Sequence, residues 1–371
     1  MNIGFEAKRF FHNKTGLGNY SRDLIRILSK NYPENNYFLY NPKPIKDSNP
    51  IMDGNVIEKN PTSIYKKLKN YWRQKAITKD LVRDKIEIFH GLSGELPFNL
   101  KSKNIKSIVT IHDLIFVRYP ELYSYFDRKI HFLKFKKATQ NADLIIAISE
   151  QTKEDIITFL NVKAEKIKVI YQGCQEVFKK KYTAEEKEEL RKKFNLPESF
   201  ILNVGTIEER KNALLIVKAI KDIDTKLILI GKETAYTQKI HSYIKEHQLE
   251  KKVIFLKKLT SKELAIIYQI AEIFIYPSIF EGFGIPIIEA LYSKTAVITT
   301  NSGVFPEAGG PESIYIDPTN PKQLEKAIIS LLSDAEKRLE MTKKGLEFAQ
   351  KFNDEIIAKQ YMDSYLEVTS K

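Results

Sequence analysis

Short apolar runs alternate with longer stretches of helical period along the whole chain, and the alternation runs twice, which commits the chain to parallel sheets built from βαβ units. In the first half, strands are expected at Asn2–Phe5, Tyr37–Tyr40, Ile86–Phe89, Ile108–Ile111, Leu144–Ile148 and Ile167–Ile170, with helices over Tyr20–Lys30, Ile64–Val82, Arg128–Ala138 and Glu150–Phe159. The charged segment Lys179–Lys193 interrupts the pattern and reads as a solvated helix, which puts a domain boundary near Gln172–Phe178. The alternation then restarts. Strands are expected at Ile201–Val204, Leu227–Ile230, Val253–Leu256, Ile273–Tyr276 and Ala296–Thr299, with helices near 213–221, 236–247, 261–271, 286–293 and 321–333. Thr260 followed by Glu263 has the spacing of a capping box at one of those helix starts.

The expected organisation is an α/β chain with an N-terminal domain over 1–175 and a C-terminal domain over 176–352, facing across a cleft lined by the carboxyl ends of parallel strands. The amphipathic tail, 353–371, either pads the second domain or crosses back to the first; periodicity alone leaves both open.

A length of 371 residues exceeds one ordinary core, and 43% hydrophobic with 29% charged residues is a globular composition. The single cysteine, Cys174, cannot form an internal disulfide. The N-terminus, MNIGFEAKRFF, lacks the apolar stretch of a secretory signal, and the apolar run 264–280 is broken by Glu272 and Pro277, so a cytoplasmic protein is expected. Charge is uneven. Residues 1–175 hold 30 Lys and Arg against 18 Asp and Glu, while the rest holds 30 against 29, so +12 of the net +13 lies in the first half.

The chemistry-bearing motifs sit at strand–loop–helix junctions. In EIFIYPSIFEGFGIPIIEA, residues 272–290, a strand is expected to end near Tyr276, a loop to run through Gly282 and Gly284, and Pro286 to open a helix. Glycines let backbone N–H groups approach a ligand, and a helix N-terminus favours an anion. Glu281 in the loop and Glu289, expected in the first helical turn, could each accept two hydrogen bonds from a vicinal diol. Singly, Glu289 also fits as a complement to the helix dipole and Glu281 as a solvent-facing residue. In FILNVGTIEERKNALLIVKAI, residues 200–220, Arg210 and Lys211 precede a helix that Asn212 could cap, and two cations beside free N–H groups suit a diphosphate. The bland alternative is an exposed loop balanced by Glu208 and Glu209. Gly16 and Gly18 stand ahead of a helix, but Ser21 replaces the third glycine of a dinucleotide fingerprint, which counts against an NAD enzyme. His112 and Asp113 follow directly on an apolar strand, where cleft-facing residues belong.

TGLGNY at 15–20, IHDL at 111–114, VIYQG at 169–173, NVGTIEERKN at 203–212 and FEGFGIPIIEA at 280–290, in that order, resemble the retaining glycosyltransferase family 4. The paired glutamates eight positions apart around Gly-Phe-Gly are the most specific of these. The resemblance implies the two-domain GT-B fold, two Rossmann-like domains facing across a cleft, and a nucleotide diphosphate sugar, GDP-mannose or a UDP-hexose, as co-substrate in place of a bound cofactor. It implies that Glu289 binds the ribose diol, that Glu281 binds the donor sugar's hydroxyls, and that Arg210 and Lys211 hold the diphosphate. The N–H groups of Phe283 and Gly284, with Gly282 and Gly205 in the same loops, would lie against phosphate and sugar. His112 would face the sugar, and Gly16 and Gly18 would close over the phosphates. The chain departs from the family pattern in IFLKKL, 254–259, where lysines replace a glycine near the base site. A hexosyl transfer, mannose first, to a glycan or lipid-linked saccharide in envelope polysaccharide synthesis follows, with retention at the anomeric carbon and without a metal. Asp222 and Asp224 form an Asp-x-Asp, but in a helix-to-strand connection away from the strand ends. The closest competing reading is an epimerase or hydrolase on the same fold, which would need a dedicated acid/base pair.

The basic first half suggests an anionic acceptor or a peripheral place on the inner face of the membrane. Two segments carry this expectation: residues 62–85, with Lys66, Lys67, Lys69, Arg73 and Lys75 among Tyr65, Tyr71 and Trp72, and the cluster Lys134, Lys136 and Lys137 beside Phe132 and Phe135. Nucleic acid is not expected, since no recognised module accompanies the basic residues.

Overall fold

The computed structural model describes residues 1–44 and 54–371. It contains two compact units, one formed by Met1–Gly173 together with Asn353–Lys371 and the other by Cys174–Phe352.

The first unit is a seven-stranded sheet of β1 (Asn2–Glu6), β2 (Asn36–Tyr40), β3 (Val56–Lys59), β4 (Ile88–Gly91), β5 (Lys106–Ile111), β6 (Leu144–Ala147) and β7 (Ile167–Val169), in the order β3-β2-β1-β4-β5-β6-β7. All six pairings between these strands are parallel. The central strands β4 and β6 are buried at every position, as a sheet covered on both faces requires. The second unit repeats the plan with β8 (Ile201–Val204), β9 (Leu227–Ile230), β10 (Val253–Leu256), β11 (Ile273–Tyr276), β12 (Ala296–Thr300) and β13 (Ile314–Ile316), in the order β10-β9-β8-β11-β12-β13. Its pairings are parallel as well. In both sheets the strand order reverses beside the first strand, between β1 and β4 and between β8 and β11. Parallel sheets bind ligands at the carboxyl ends of such switch points.

The expected strands are present, with three differences. The edge strands β3 and β13 were not anticipated; each is short and pairs on one side only. The strand expected at Ile86–Phe89 runs instead over Ile88–Gly91, because Ile86 closes the preceding helix by donating its N–H to the Leu81 carbonyl at 2.9 Å. The helix expected over Ile64–Val82 is broken. A 3₁₀ turn at Ser63–Lys66 is followed by helix from Lys69 to Arg83 that contains a π-turn at Trp72–Ala76. Trp72 is thereby turned into the core, its indole N–H on Asp80 at 2.7 Å.

The capping box of Thr260 and Glu263 is formed, and a second, Thr183 with Glu186, opens the charged helix Ala184–Phe194. Asn212 does not cap the helix that follows it. It takes a left-handed conformation (φ 57°), and its side-chain amide donates to the carbonyls of Pro277 and Pro318 at 3.3 and 2.7 Å.

The tail forms the helix Asp354–Ser370 and packs within the first unit against the helix Gly16–Asn31. A buried polar chain fixes it there. The Tyr361 and Tyr20 hydroxyls meet at 2.8 Å, Tyr20 meets Thr110 at 3.0 Å, and His90 lies between Thr110 at 2.8 Å and the Tyr365 hydroxyl at 2.9 Å. Leaving any of these buried groups without a partner would cost about 1–3 kcal/mol, so the network favours this docking.

Candidate active site

The second unit's switch point gathers Arg210, Lys211 and Glu281. The loop after β8 begins at Gly205, whose φ of 152° favours glycine, and a Cβ on neighbouring Gly231 would meet the Gly205 carbonyl oxygen at 1.8 Å. Two glycines thus bring the ends of β8 and β9 together, and the chain turns through Glu209–Lys211 into the helix Ala213–Ala219. Arg210 then ties this loop to the one after β11: its carbonyl accepts from the Ile279 N–H at 2.9 Å and its guanidinium donates to the Phe280 carbonyl at 2.5 Å.

The cations converge on one carboxylate oxygen. Oε1 of Glu281 takes Arg210 at 2.8 Å, the Lys211 ammonium and the Tyr276 hydroxyl at 3.0 Å, while Arg210 also reaches Glu208 at 2.7 Å. Lys211 lies over the Tyr276 ring, 5.0 Å from its centre. Burial would raise the Glu281 pKa, but the charges of Lys211 and Arg210 outweigh it and hold the carboxyl below its usual range. Oε2 of Glu281 accepts no hydrogen bond from the described residues, so this oxygen is open while its twin locks the cations in place.

Glu289 has the opposite electrostatics. It falls in the second turn of the helix Ile285–Tyr292, past the first turn expected for it, and no acidic residue occupies that first turn. A helix-dipole role is therefore weak for it. Among the described residues its hydrogen-bond partner is the Tyr268 hydroxyl, which donates to Oε2 at 3.1 Å. Burial raises its pKa to about 8, against the lowering effect of that one bond. Phe274 lies between the two tyrosines, 5.1 Å from Tyr268 and 5.8 Å from Tyr276, so one aromatic row holds both glutamates. Tyr268 and Tyr276 were not singled out in the sequence. Only their hydroxyls separate them from core aromatics, and composition carries no trace of where a hydroxyl points.

Gly284 precedes the Glu289 helix with a φ of 127°, and Pro286 lies in its first turn. The Phe283 side chain is buried, 5.5 Å from the Phe352 ring. Gly282 sits in the same loop.

Gly16, Gly18 and His112 belong to the first unit. The two glycines lie inside the first turn of the helix Gly16–Asn31 and not in a loop ahead of it, and they differ in kind. A Cβ on Gly18 would strike the Asn13 carbonyl oxygen at 1.8 Å, whereas around Gly16 there is open space. Gly18 is a packing requirement; Gly16 is a point where a ligand can approach main chain. His112 follows β5 with both ring nitrogens engaged, Nε2 on the Leu92 carbonyl at 2.9 Å and Nδ1 on the Gln172 amide at 3.2 Å. The carbonyl accepts and the amide N–H donates, so the proton is on Nε2. Burial lowers its pKa to about 4, and the ring is neutral at physiological pH. Tyr20 stands edge-on to it at 4.5 Å, which connects it to the helix that carries Gly16. Both nitrogens of the neutral imidazole are thus engaged within the first unit.

Among the described residues no group of three or more His, Cys, Asp or Glu could hold a metal ion. Asp222 and Asp224 lie between the helix Ala213–Ala219 and the start of β9, at the opposite sheet edge from Arg210 and Glu281.

Two parallel-sheet Rossmann-like units, one carrying a cation pair and two buried glutamates at its switch point, define a glycosyltransferase of GT-B architecture. Residues 186–348 match the family described as glycosyl transferases group 1 and residues 15–175 match glycosyltransferase family 4. The chain belongs to this glycosyltransferase family. It is 25% identical to the O-antigen chain mannosyltransferase B of Escherichia coli, over 98% of this chain and 99% of that protein. Two solved structures share the fold. Sucrose-phosphate synthase from Thermosynechococcus elongatus superposes with a TM-score of 0.80 at 22% identity, over 100% of this chain and 99% of that one. HepE from Anabaena, in complex with UDP and glucose, gives 0.76 at 18% identity over 99% and 100%.

Proposed function

We propose that the chain transfers a hexose, mannose first, from a nucleotide diphosphate sugar to a glycan or lipid-linked saccharide in envelope polysaccharide synthesis, with retention and without a metal. The observation that carries this reading is the Arg210–Lys211–Glu281 cluster at the β8/β11 switch point. The similarity to an O-antigen mannosyltransferase supports the sugar and the pathway class. The two cations are balanced by Glu281 and Glu208 and are held in place before a ligand arrives. Such a clamp needs no reorganisation as charge develops on a departing diphosphate, which is the most effective form of electrostatic catalysis. The open oxygens of Glu281 and Glu289 accept sugar and ribose hydroxyls.

Neither glutamate suits a nucleophilic role, since Glu281 is tied down by two cations and Glu289 is largely protonated at neutral pH. The bond from the anomeric carbon to the diphosphate oxygen therefore breaks as the acceptor oxygen adds on the same face. The acceptor's proton passes to the departing phosphate. The first unit's surplus of basic residues draws the enzyme to an anionic acceptor or bilayer; among the described residues no helix is long and apolar enough to cross a membrane.

A thermal-shift panel of GDP-mannose, UDP-glucose, UDP-galactose, GDP and UDP tests the reading. Stabilisation by GDP-mannose and GDP is expected; a response to the uridine compounds alone reassigns base and sugar, and no response to any of them sinks the donor site. Product analysis separates transfer from epimerisation or hydrolysis: sugar consumed only when an acceptor is present is transfer.

A further inference from the structure

The cation pair at the β8/β11 switch point carries no net formal charge. Arg210 and Lys211 contribute two positive charges, and Glu281 and Glu208 contribute two negative ones. Glu281 has a task there, because its second oxygen stays open for a hydroxyl. Glu208 has no task in the function proposed above, yet it is built into the same turn as both cations. Its N–H donates to the Thr206 carbonyl at 2.9 Å, and its carbonyl accepts from the Lys211 N–H at 3.0 Å.

The two carboxylates hold different nitrogens of one guanidinium. Nη2 of Arg210 donates to Glu208 at 2.7 Å, while Nη1 takes Glu281 at 2.8 Å and the Phe280 carbonyl at 2.5 Å. Burial would lower the Arg210 pKa, and the charges of Glu281 and Glu208 overcome it. Glu209, one residue on, belongs to another surface. It lies 3.3 Å from Lys239 with its side chain 68% exposed, and among the described residues no ion pair joins it to Arg210 or Lys211. Of the two carboxylates that could have balanced this loop, only Glu208 does.

A diphosphate gains charge when its sugar leaves. In a nucleotide sugar the outer phosphate is bonded on both sides. When the bond to the anomeric carbon breaks, the electron pair stays on the phosphate oxygen. The proton taken from the acceptor is then given up to water near neutral pH, since a terminal phosphate has its second ionisation at about pH 6. The product therefore carries about one more negative charge than the donor, and two uncompensated cations would hold it more tightly than the donor. Product release limits turnover in many enzymes.

We propose that Glu208 is a positioning residue for product release: acting through Arg210, its carboxylate offsets the charge of the cation pair so that the nucleoside diphosphate left after transfer is not retained. The inference rests on the donor site proposed above and adds to it a bias for substrate over product. A mere brace for the Arg210 side chain would serve donor and product alike.

Calorimetric titration of the full chain without acceptor tests it, using GDP against GDP-mannose, or UDP against UDP-glucose if the uridine compounds are the ones that stabilise the wild type. Glu208→Gln should bind the nucleoside diphosphate about fivefold more tightly than wild type and the nucleotide sugar by a clearly smaller factor. Glu208→Asp keeps the charge and should return the ratio of the two affinities to its wild-type value. Glu209→Gln removes the same charge one residue away and should leave both affinities unchanged. Equal weakening of both ligands in Glu208→Gln makes the residue a brace and overturns the proposal, as does an affinity ratio that stays at the wild-type value or shifts equally in Glu209→Gln. A wild-type chain that binds none of these compounds removes the donor site, and this inference with it; a wild type that binds while the ratio stays fixed removes this inference alone.

Discussion

Glu289 is the residue whose chemistry is easiest to test. A carboxyl raised to about 8 by burial must lose its proton before it can accept two hydroxyls. Donor binding therefore expels a proton at neutral pH, and donor affinity should rise between pH 6 and 8, then level off. Glu289→Gln should flatten that profile. Tyr268→Phe should move the rise to higher pH, because the lost hydrogen bond favours the ionised form; the KM for donor against pH reads both. Stability follows the same sign. A folded pKa above the unfolded one contributes fully below the ordinary carboxylate range, and the contribution is lost as pH rises toward about 8, so Glu289→Gln should gain in melting temperature at pH 8.5 and gain little at pH 4. For the clamp, Arg210→Ala and Lys211→Ala should each lower kcat by about 10²–10³ at saturating donor, the usual cost of losing one preorganised group aimed at developing charge. Near-normal turnover in both would remove the clamp from the mechanism.

At the scale of elements, the helix Gly16–Asn31 separates two glycines that look alike in sequence. Gly18→Ala should clash with the Asn13 carbonyl and destabilise by about 1–3 kcal/mol, or roughly 2–4 °C per kcal/mol for a unit of this size. Gly16→Ala should leave stability unchanged or slightly improved; melting curves read the two apart. The strand–loop–helix junctions were legible because central parallel strands must be apolar throughout, as in LIIA at β6 and IFIY at β11. Strands β3 (VIEK) and β13 (IYI) were not, because their apolar runs are only two and three residues long. In the site, Arg210, Lys211 and Glu281 were readable from their loops, yet their mutual ion pairing was not, since it depends on two loops 70 residues apart in sequence being brought to one switch point. The inward turn of Trp72 escaped for a similar reason: a π-turn rotates side chains in a way that no 3.6-residue period anticipates.

For the whole molecule, the tail resolves what periodicity left open, since Asp354–Ser370 is an integral part of the first unit. Tyr361 and Tyr365 are fully buried there, and burying each large apolar side chain contributes about 1.5–3 kcal/mol. With Ile357, Met362 and Val368 also buried, the total is on the order of the net stability of a domain. A chain ended at Phe352 should therefore keep the unfolding transition of Cys174–Phe352 and lose that of the first unit; calorimetry of the two lengths would show it, and two intact transitions in the short chain would refute it. The position of those tyrosines also sets a schedule for biosynthesis. Residues 1–173 are translated first, but buried His90 and Tyr20 have only Thr110 to bond until Tyr361 and Tyr365 exist, some 200 codons later. At about 5–20 residues per second that is a wait of roughly 10–40 s. The unit that begins synthesis is the last to close, and in the interval it is the natural client of a chaperone.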